Sequence, residues 1–406
     1  MATLSSRMAK MADTSYVCKE LFEYITDPEV IKLNIGSPAS EVIPIDIIRE
    51  ITNDVITKEK RGLEALGYGP ILGVESLRQT IVKDLLRPKG VEVSPDNIII
   101  TTGGIEGINM AMQICTNKGD TVLVEAPTFI QAAQIFDMFE VNMVSVDMDE
   151  DGMRVDDLEK KIIEHNPKVI YVIPTFQNPS GRTLILERRK KVAELASKYD
   201  IFVIEDDPYR DIRFTGEDLA PIKAFDKTGH VILCNSFSKI FTPGVRLGYT
   251  VASDEIIKHL WNVKMATNSH TSMFPQVICD EFFKRGYYPE HHKMICDIYR
   301  ERCQAICDGI DTYFPKGSKR TNPEGGLFIW VELPEGIDTA EVQLEAKTRA
   351  DVKVVYVTGE KSFIYSENDK PITNTLRLAF GASSPEKIME GCRRLGTFFK
   401  EKLNQE

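Results

Sequence analysis

His230-Val231-Ile232-Leu233-Cys234 leads through Asn235 into Ser236-Phe237-Ser238-Lys239 and on to Arg246. The first part is an apolar run with no helical spacing, which reads as a strand buried on both faces. Two hydroxyls, an amine and a guanidinium then follow in quick succession. Taken alone, such a stretch fits a solvated turn after a strand. It also fits an amine able to form a Schiff base, with hydroxyls and an arginine around a phosphate. The neighbouring runs decide between the two.

Short apolar runs recur at 96–102 (Asn97-Ile98-Ile99-Ile100), 121–125, 141–146, 168–173, 201–204 and 247–251. Helical spacing lies between them. Ile105, Ile108, Met112 and Cys115 open a helix directly after Gly103-Gly104, and further helices are expected over 155–164 and 186–199. Strand–helix alternation of this kind predicts an α/β fold: a large domain whose mostly parallel sheet is covered by helices on both faces. Ligands of such sheets sit beyond the carboxyl ends of the strands.

Upstream, a loosely held leader and a short helix are expected over 1–26. A short strand at 31–35 ends in the turn Gly36-Ser37-Pro38, and helices follow over 45–58 and 74–86 around the loop Gly67-Tyr68-Gly69-Pro70. Beyond Asp254 the texture changes. A long helical region at 274–313 is broken near Gly286; strands are expected at 326–333, 352–357 and 375–380, and helices at 339–349 and 384–403. This is a smaller α+β C-terminal domain. The expected division is 1–45 as an N-terminal segment packing with the small domain, 46–280 as the large domain and 281–406 as the small one.

The 406 residues suffice for two or three domains, and a formal net charge of −11 disfavours a nucleic-acid backbone as partner. No apolar run approaches the roughly 20 residues needed to span a bilayer. The first twenty residues lack the apolar core of a signal peptide, so a cytoplasmic location is expected. Eight scattered cysteines with no C-x-x-C pair read as reduced core thiols. Cys296, Cys303 and Cys307 could share a helix face, but no metal site is expected there.

The polar residues of interest fall at strand ends. Gly103 and Gly104 stand where a helix N-terminus favours a phosphate, although taken alone they fit a tight strand-to-helix turn better. Gln177-Asn178-Pro179-Ser180-Gly181 has turn chemistry. Glu205-Asp206-Asp207-Pro208-Tyr209 puts acids at the end of a buried strand, which is costly unless a cation meets them. Arg377 interrupts the apolar strand Leu376-Arg377-Leu378-Ala379-Phe380, so it either snorkels to solvent or meets an anion such as a carboxylate. Together these describe one site. A phosphate would sit at Gly104, Ser236, Ser238 and Arg246, a ring nitrogen would meet Asp206, and a phenolic oxygen would meet Asn178 and Tyr209. Lys239 would carry an imine and Arg377 an α-carboxylate. That is the shape of a site for pyridoxal 5′-phosphate and an amino acid.

The ordered set of motifs, spanning about residues 30–400, resembles class I/II aminotransferases of the pyridoxal-phosphate fold-type I superfamily, near the 2-aminoadipate and kynurenine aminotransferases. The resemblance implies that Lys239 binds the cofactor and shuttles a proton. It implies that Asp206 faces the ring nitrogen, and that Asn178 and Tyr209 meet the ring oxygen. Gly103, Gly104, Ile105, Ser236, Ser238 and Arg246 then belong to the phosphate site, Phe129 stacks on the ring, and Arg377 and Asn178 serve the substrate carboxylate. Gly36 lies on a segment that closes over the substrate, and Tyr68 reaches the cofactor of the second subunit in a homodimer. Where relatives have Ser or Ala this chain has Gly104; Ile105 and Glu106 replace a polar pair; Phe129 stands for Tyr. The implied activity is transfer of an amino group from an amino acid to a 2-oxo acid, 2-oxoglutarate being the family-level expectation. A carbon–sulfur β-lyase or decarboxylase shares these residues, while a regulator with an added DNA-binding module or a dinucleotide oxidoreductase fits them less well.

Overall fold

The computed structural model describes residues 5, 7–8, 27–366 and 369–404. The leader and helix expected over 1–26 therefore lie almost wholly outside the described residues. The centre of the molecule is an eight-stranded sheet. In chain order its strands are β1 (Ile98–Thr101), β2 (Thr121–Ala126), β3 (Asn142–Asp149), β4 (Gly152–Met153), β5 (Val169–Val172), β6 (Phe202–Asp206), β7 (Val231–Ser236) and β8 (Gly248–Val251). In space the order is β1-β8-β7-β6-β5-β2-β3-β4. The pairs from β7 through β6, β5 and β2 to β3 are parallel, while β8 runs antiparallel to both β7 and β1. Strands β1, β5 and β7 are buried at every position, as both faces are covered by helices.

The insertion of β8 has a consequence for chemistry. Parallel strands bring their carboxyl ends to one edge, and an antiparallel neighbour brings its amino end there. Gly248 pairs with both Thr101 and Ser236, so Arg246, just before β8, arrives at the edge where β1 and β7 end.

A second sheet is built from Lys319–Arg320, Phe328–Glu332, Val357–Thr358 and Thr375–Ala379, all antiparallel. Its central strand, Thr375–Ala379, is buried throughout and carries Arg377 opposite Trp330. Ile31–Lys32 pairs in parallel with Val354–Val355, which fastens the early chain to the late chain.

Most elements lie within two residues of the expectation, and the long C-terminal helical region breaks as expected, at Gly286 with φ 77°. Four departures have local causes. Helix Glu59–Leu66 was not foreseen, because Leu63 and Leu66 point outward and blur its apolar stripe. Helix Asp254–Thr267 was hidden for a different reason: Ile256, Ile257 and Leu260 face inward, and the next inner position is Lys264. The helix expected over 74–86 loosens into a π-helical turn at Ile81–Leu86. The strand expected over 352–357 divides into Val354–Val355 and Val357–Thr358, which belong to different sheets.

Candidate active site

The carboxyl ends of β1, β2, β5, β6 and β7 deliver, in turn, Gly103-Gly104, Phe129, Asn178, Asp206 and the Ser236–Lys239 turn to one edge. The three consecutive acids at the end of β6, Glu205, Asp206 and Asp207, separate in their partners. Glu205 accepts the backbone N–H groups of Ile222 and Lys223 at 2.7 and 2.8 Å, and Asp207 accepts from Arg210 at 2.8 Å. Asp206 meets no cation among the described residues; its partner is the Tyr171 hydroxyl, which donates at 2.7 Å. Burial accordingly pushes the Asp206 carboxyl up to about 7, and Asp207 adds to the rise while the Tyr171 hydrogen bond opposes it.

Lys239 Nζ donates to the Gly36 carbonyl at 2.6 Å and lies 5.6 Å from the centre of the Tyr209 ring. Desolvation, then the charges of Arg246 and Arg377, pull this amine down to about 8. Asn178 bridges two other residues: its Nδ2 donates to the Tyr209 hydroxyl at 3.4 Å, and its Oδ1 accepts from Arg377 at 2.9 Å. The second arm of Arg377 donates to the Asn34 carbonyl at 2.6 Å, and its guanidinium lies 4.5 Å from the Phe328 ring centre. Arg377 is buried and forms no ion pair among the described residues, its Nε is without a hydrogen-bond partner, and burial pulls its pKa down to about 10. A buried, uncompensated guanidinium costs several kcal/mol, so this one is poised for an anion.

The Ser236–Ser238 turn forms a small hydroxyl cluster. Ser236 Oγ donates to Ser238 Oγ at 2.9 Å and accepts the Ser238 N–H at 3.2 Å; Arg246 reaches Ser238 Oγ at 3.2 Å. Gly103, at φ 76°, lies directly beneath this guanidinium, and a Cβ there would collide with Arg246 Nη2. Gly103 thus meets both requirements of glycine, a left-handed backbone and close approach. Gly36 is similar in the second respect, since a Cβ would strike the Phe328 ring.

Tyr68, also singled out from sequence, lies at the surface. It is fully exposed, and its ring meets His270 edge-on at 5.8 Å. Ile105 and Phe129 are half-buried at the starts of helices Gly104–Cys115 and Ile130–Met138. Sequence reasoning passed over Tyr171, Asn34 and Glu125. Glu125 is buried, accepts from Ile173 N–H at 3.0 Å and Gln177 at 3.3 Å, and is pushed up to about 8 chiefly by burial. Tyr171 lay inside an apolar run, where only the position of Asp206 one strand over reveals its purpose.

The raised Asp206 has a thermodynamic signature. Its folded value of about 7 exceeds the ordinary 3.8, so the folded chain binds the extra proton between those values. That contribution to stability is complete below pH 3.8 and disappears as pH rises through 7. For the cofactor-free protein, Asp206→Asn is expected to gain melting temperature over wild type as pH is raised across this window. Parallel thermal scans at several pH values check it; a pH-independent difference would contradict it.

Residues 28–395 match the family described as aminotransferase class I and II. The chain is 38% identical over 392 residues to aromatic-amino-acid aminotransferase 1 of Thermococcus litoralis, covering 95% of this chain and 92% of that protein. It is 31% identical to the 2-aminoadipate transaminase of Thermus thermophilus, covering 94% and 93% respectively. Among solved structures it is similar to the kynurenine aminotransferase of Pyrococcus horikoshii, at TM-score 0.90 and 36% identity, covering 98% of this chain and 97% of that one.

Proposed function

The chain belongs to the family of class I and II aminotransferases, and on that footing we propose how its own residues carry amino transfer between an amino acid and a 2-oxo acid. The observation that carries the reading is a pair of charges unmet among the described residues: a buried acid, Asp206, with no cation partner, and a buried guanidinium, Arg377, with no anion partner. A cofactor with a basic ring nitrogen and a substrate with a carboxylate complete both.

Pyridoxal 5′-phosphate fits this donor set and supplies an aldehyde and an electron-accepting ring, on which the amino group is exchanged. Asp206 would hold the ring nitrogen in its protonated form. Asn178 and Tyr209 would hold the ring oxygen, and Phe129 the ring face. The N–H groups at Gly103, Gly104 and Ile105, the hydroxyls of Ser236 and Ser238, and Arg246 would hold the phosphate. Lys239 would bind the aldehyde carbon and then, as a neutral amine, move the α-proton. Gly36 lies against Lys239 and would help close the substrate off from water.

Arg377, with Asn178 beside it, would grip the substrate α-carboxylate by two parallel hydrogen bonds. Lysine cannot reproduce that fork. Arg377→Lys is expected to raise KM for the amino donor by about 10- to 100-fold with a smaller change in kcat, on the scale of one or two charge-assisted hydrogen bonds. Steady-state kinetics check this; an unchanged KM would remove Arg377 from the substrate site.

The donor range proposed includes aromatic amino acids and 2-aminoadipate, as in the named relatives, with 2-oxoglutarate as acceptor. The decisive assay mixes purified protein with a panel of donors and 2-oxo acids and measures the new amino acid. Double-displacement kinetics are expected, and no transfer from any donor would defeat the reading. A homodimer is part of the proposal, since the fully exposed Tyr68 would reach the cofactor phosphate of the other subunit. No helix among the described residues is long and apolar enough to cross a membrane, which fits the proposed cytoplasmic location.

A further inference from the structure

Helix Asp254–Thr267 presents Ile256, Ile257 and Leu260 inward, and then, at the next inner position, a lysine. The Lys264 side chain is wholly buried. Its Nζ donates to Glu106 Oε2 at 2.6 Å and to Thr271 Oγ1 at 2.7 Å. Glu106 is in the first turn of helix Gly104–Cys115, and its other partners are the Thr102 N–H at 2.5 Å and Asn268 Nδ2 at 2.6 Å. Thr271 Oγ1 in turn donates a hydrogen bond to the Ile100 carbonyl at 3.1 Å. The pair therefore sits at the junction of β1 and the helix whose N-terminus begins at Gly104.

Two physical facts make this arrangement odd as mere architecture. A fully buried ammonium is costly even when paired, and an apolar residue of the same size would stabilise the helix contact better. The capping task of Glu106, accepting the Thr102 N–H, is performed equally well by an uncharged glutamine. Packing and capping thus need neither charge. A carboxylate in the first helical turn is ordinarily favourable, because it meets the positive end of the helix dipole. It becomes unfavourable if that same helix end must hold a second anion, since like charges then share one site.

We infer that Lys264 is a positioning residue that cancels the charge of Glu106, leaving the helix start at Gly103-Gly104 free to hold the cofactor phosphate. The inference rests on the reading that the phosphate lies at this helix start. Lys264 touches neither cofactor nor substrate in this account; it acts through Glu106. Lys264 holds the Glu106 carboxylate below its usual range despite burial, while burial draws the Lys264 amine down against the opposing pull of Glu106; the 2.6 Å contact is what marks the two as a pair.

The test compares two probes on the cofactor-depleted full-length chain: pyridoxal 5′-phosphate and pyridoxal, which lacks the phosphate. Affinities are measured by fluorescence titration, so activity is not the readout. Lys264→Met is expected to weaken binding of the phosphorylated probe by about tenfold, the scale of one uncompensated charge nearby, and to leave pyridoxal unaffected. Glu106→Gln alone is expected to bind the phosphorylated probe at least as tightly as wild type. The double variant is expected to return to within about threefold of wild type, since removing both charges restores neutrality. A double variant as weak as Lys264→Met, an equal loss for both probes, or weaker binding by Glu106→Gln would each overturn the inference and assign the pair to packing. A wild type that binds both probes alike would instead remove the phosphate from this helix start, and the inference with it.

Discussion

Lys239→Ala is expected to lower kcat by about four orders of magnitude, at the upper end of what a positioned general acid–base group contributes and with the covalent role lost as well. The fold should survive, because the side chain is only partly buried and its one hydrogen bond is to the Gly36 carbonyl. Three features single out this amine. It stands at the turn after β7, immediately after the Ser236–Ser238 hydroxyl cluster. It faces a tyrosine ring without a carboxylate to hold its proton, as no ion pair to Lys239 occurs among the described residues. Desolvation and the two guanidiniums draw it down to about 8, so near neutral pH a useful fraction is already the free base. In the cofactor-free chain, the rate at which Lys239 captures the aldehyde should rise with pH, reach half its maximum near 8 and level off above that. Borohydride treatment followed by peptide mass analysis should place the cofactor on residue 239 in wild type and nowhere in the alanine variant. Full turnover by Lys239→Ala, or labelling at another lysine, would end the proposed mechanism.

The second large effect is expected at Asp206. An asparagine there keeps the size and can accept from the Tyr171 hydroxyl, so the packing around β6 is preserved. It cannot carry charge, and the ring nitrogen then loses the carboxylate that keeps it protonated. We expect Asp206→Asn to lower kcat by about a thousandfold, comparable to loss of one preorganised electrostatic partner in a buried site. Tyr171→Phe should cost much less, about tenfold, since it removes a neutral hydrogen bond to the carboxylate and leaves the charge. Kinetics on both variants, with circular dichroism as a check on folding, separate charge from shape. Equal losses in the two would mean that orientation, not ionisation, is what Asp206 provides. The same substitution that cripples turnover is expected to stabilise the cofactor-free protein at neutral pH. On the proposed function, activity is bought with stability, by burying an acid that has no cation partner among the described residues.

The sheet was legible because its strands are buried on both faces, and so print as apolar runs between segments of helical spacing. The ends of those runs were legible for the same reason: a polar residue at the carboxyl edge of such a strand stands out against its neighbours. Lys239, Asp206 and Asn178 could be picked out in this way, and Arg377 as a charge interrupting an apolar strand. Lys264 and Tyr171 could not. Each sits at an inner position of an otherwise apolar pattern, and only the tertiary neighbour, Glu106 in one case and Asp206 in the other, gives it a purpose.

Local sequence thus set which segments are strands, where each ends and which chemical groups stand at the ends, since burial and turn propensity act over a few residues. Tertiary structure alone decided which of those groups share a site and which lack a counter-charge. Arg377 meets Asn178, and Arg246 meets Ser238, through strand order and through one antiparallel strand inserted among parallel ones. Pairing between distant segments of the chain follows from the sum of all their contacts, and no single stretch of residues encodes it.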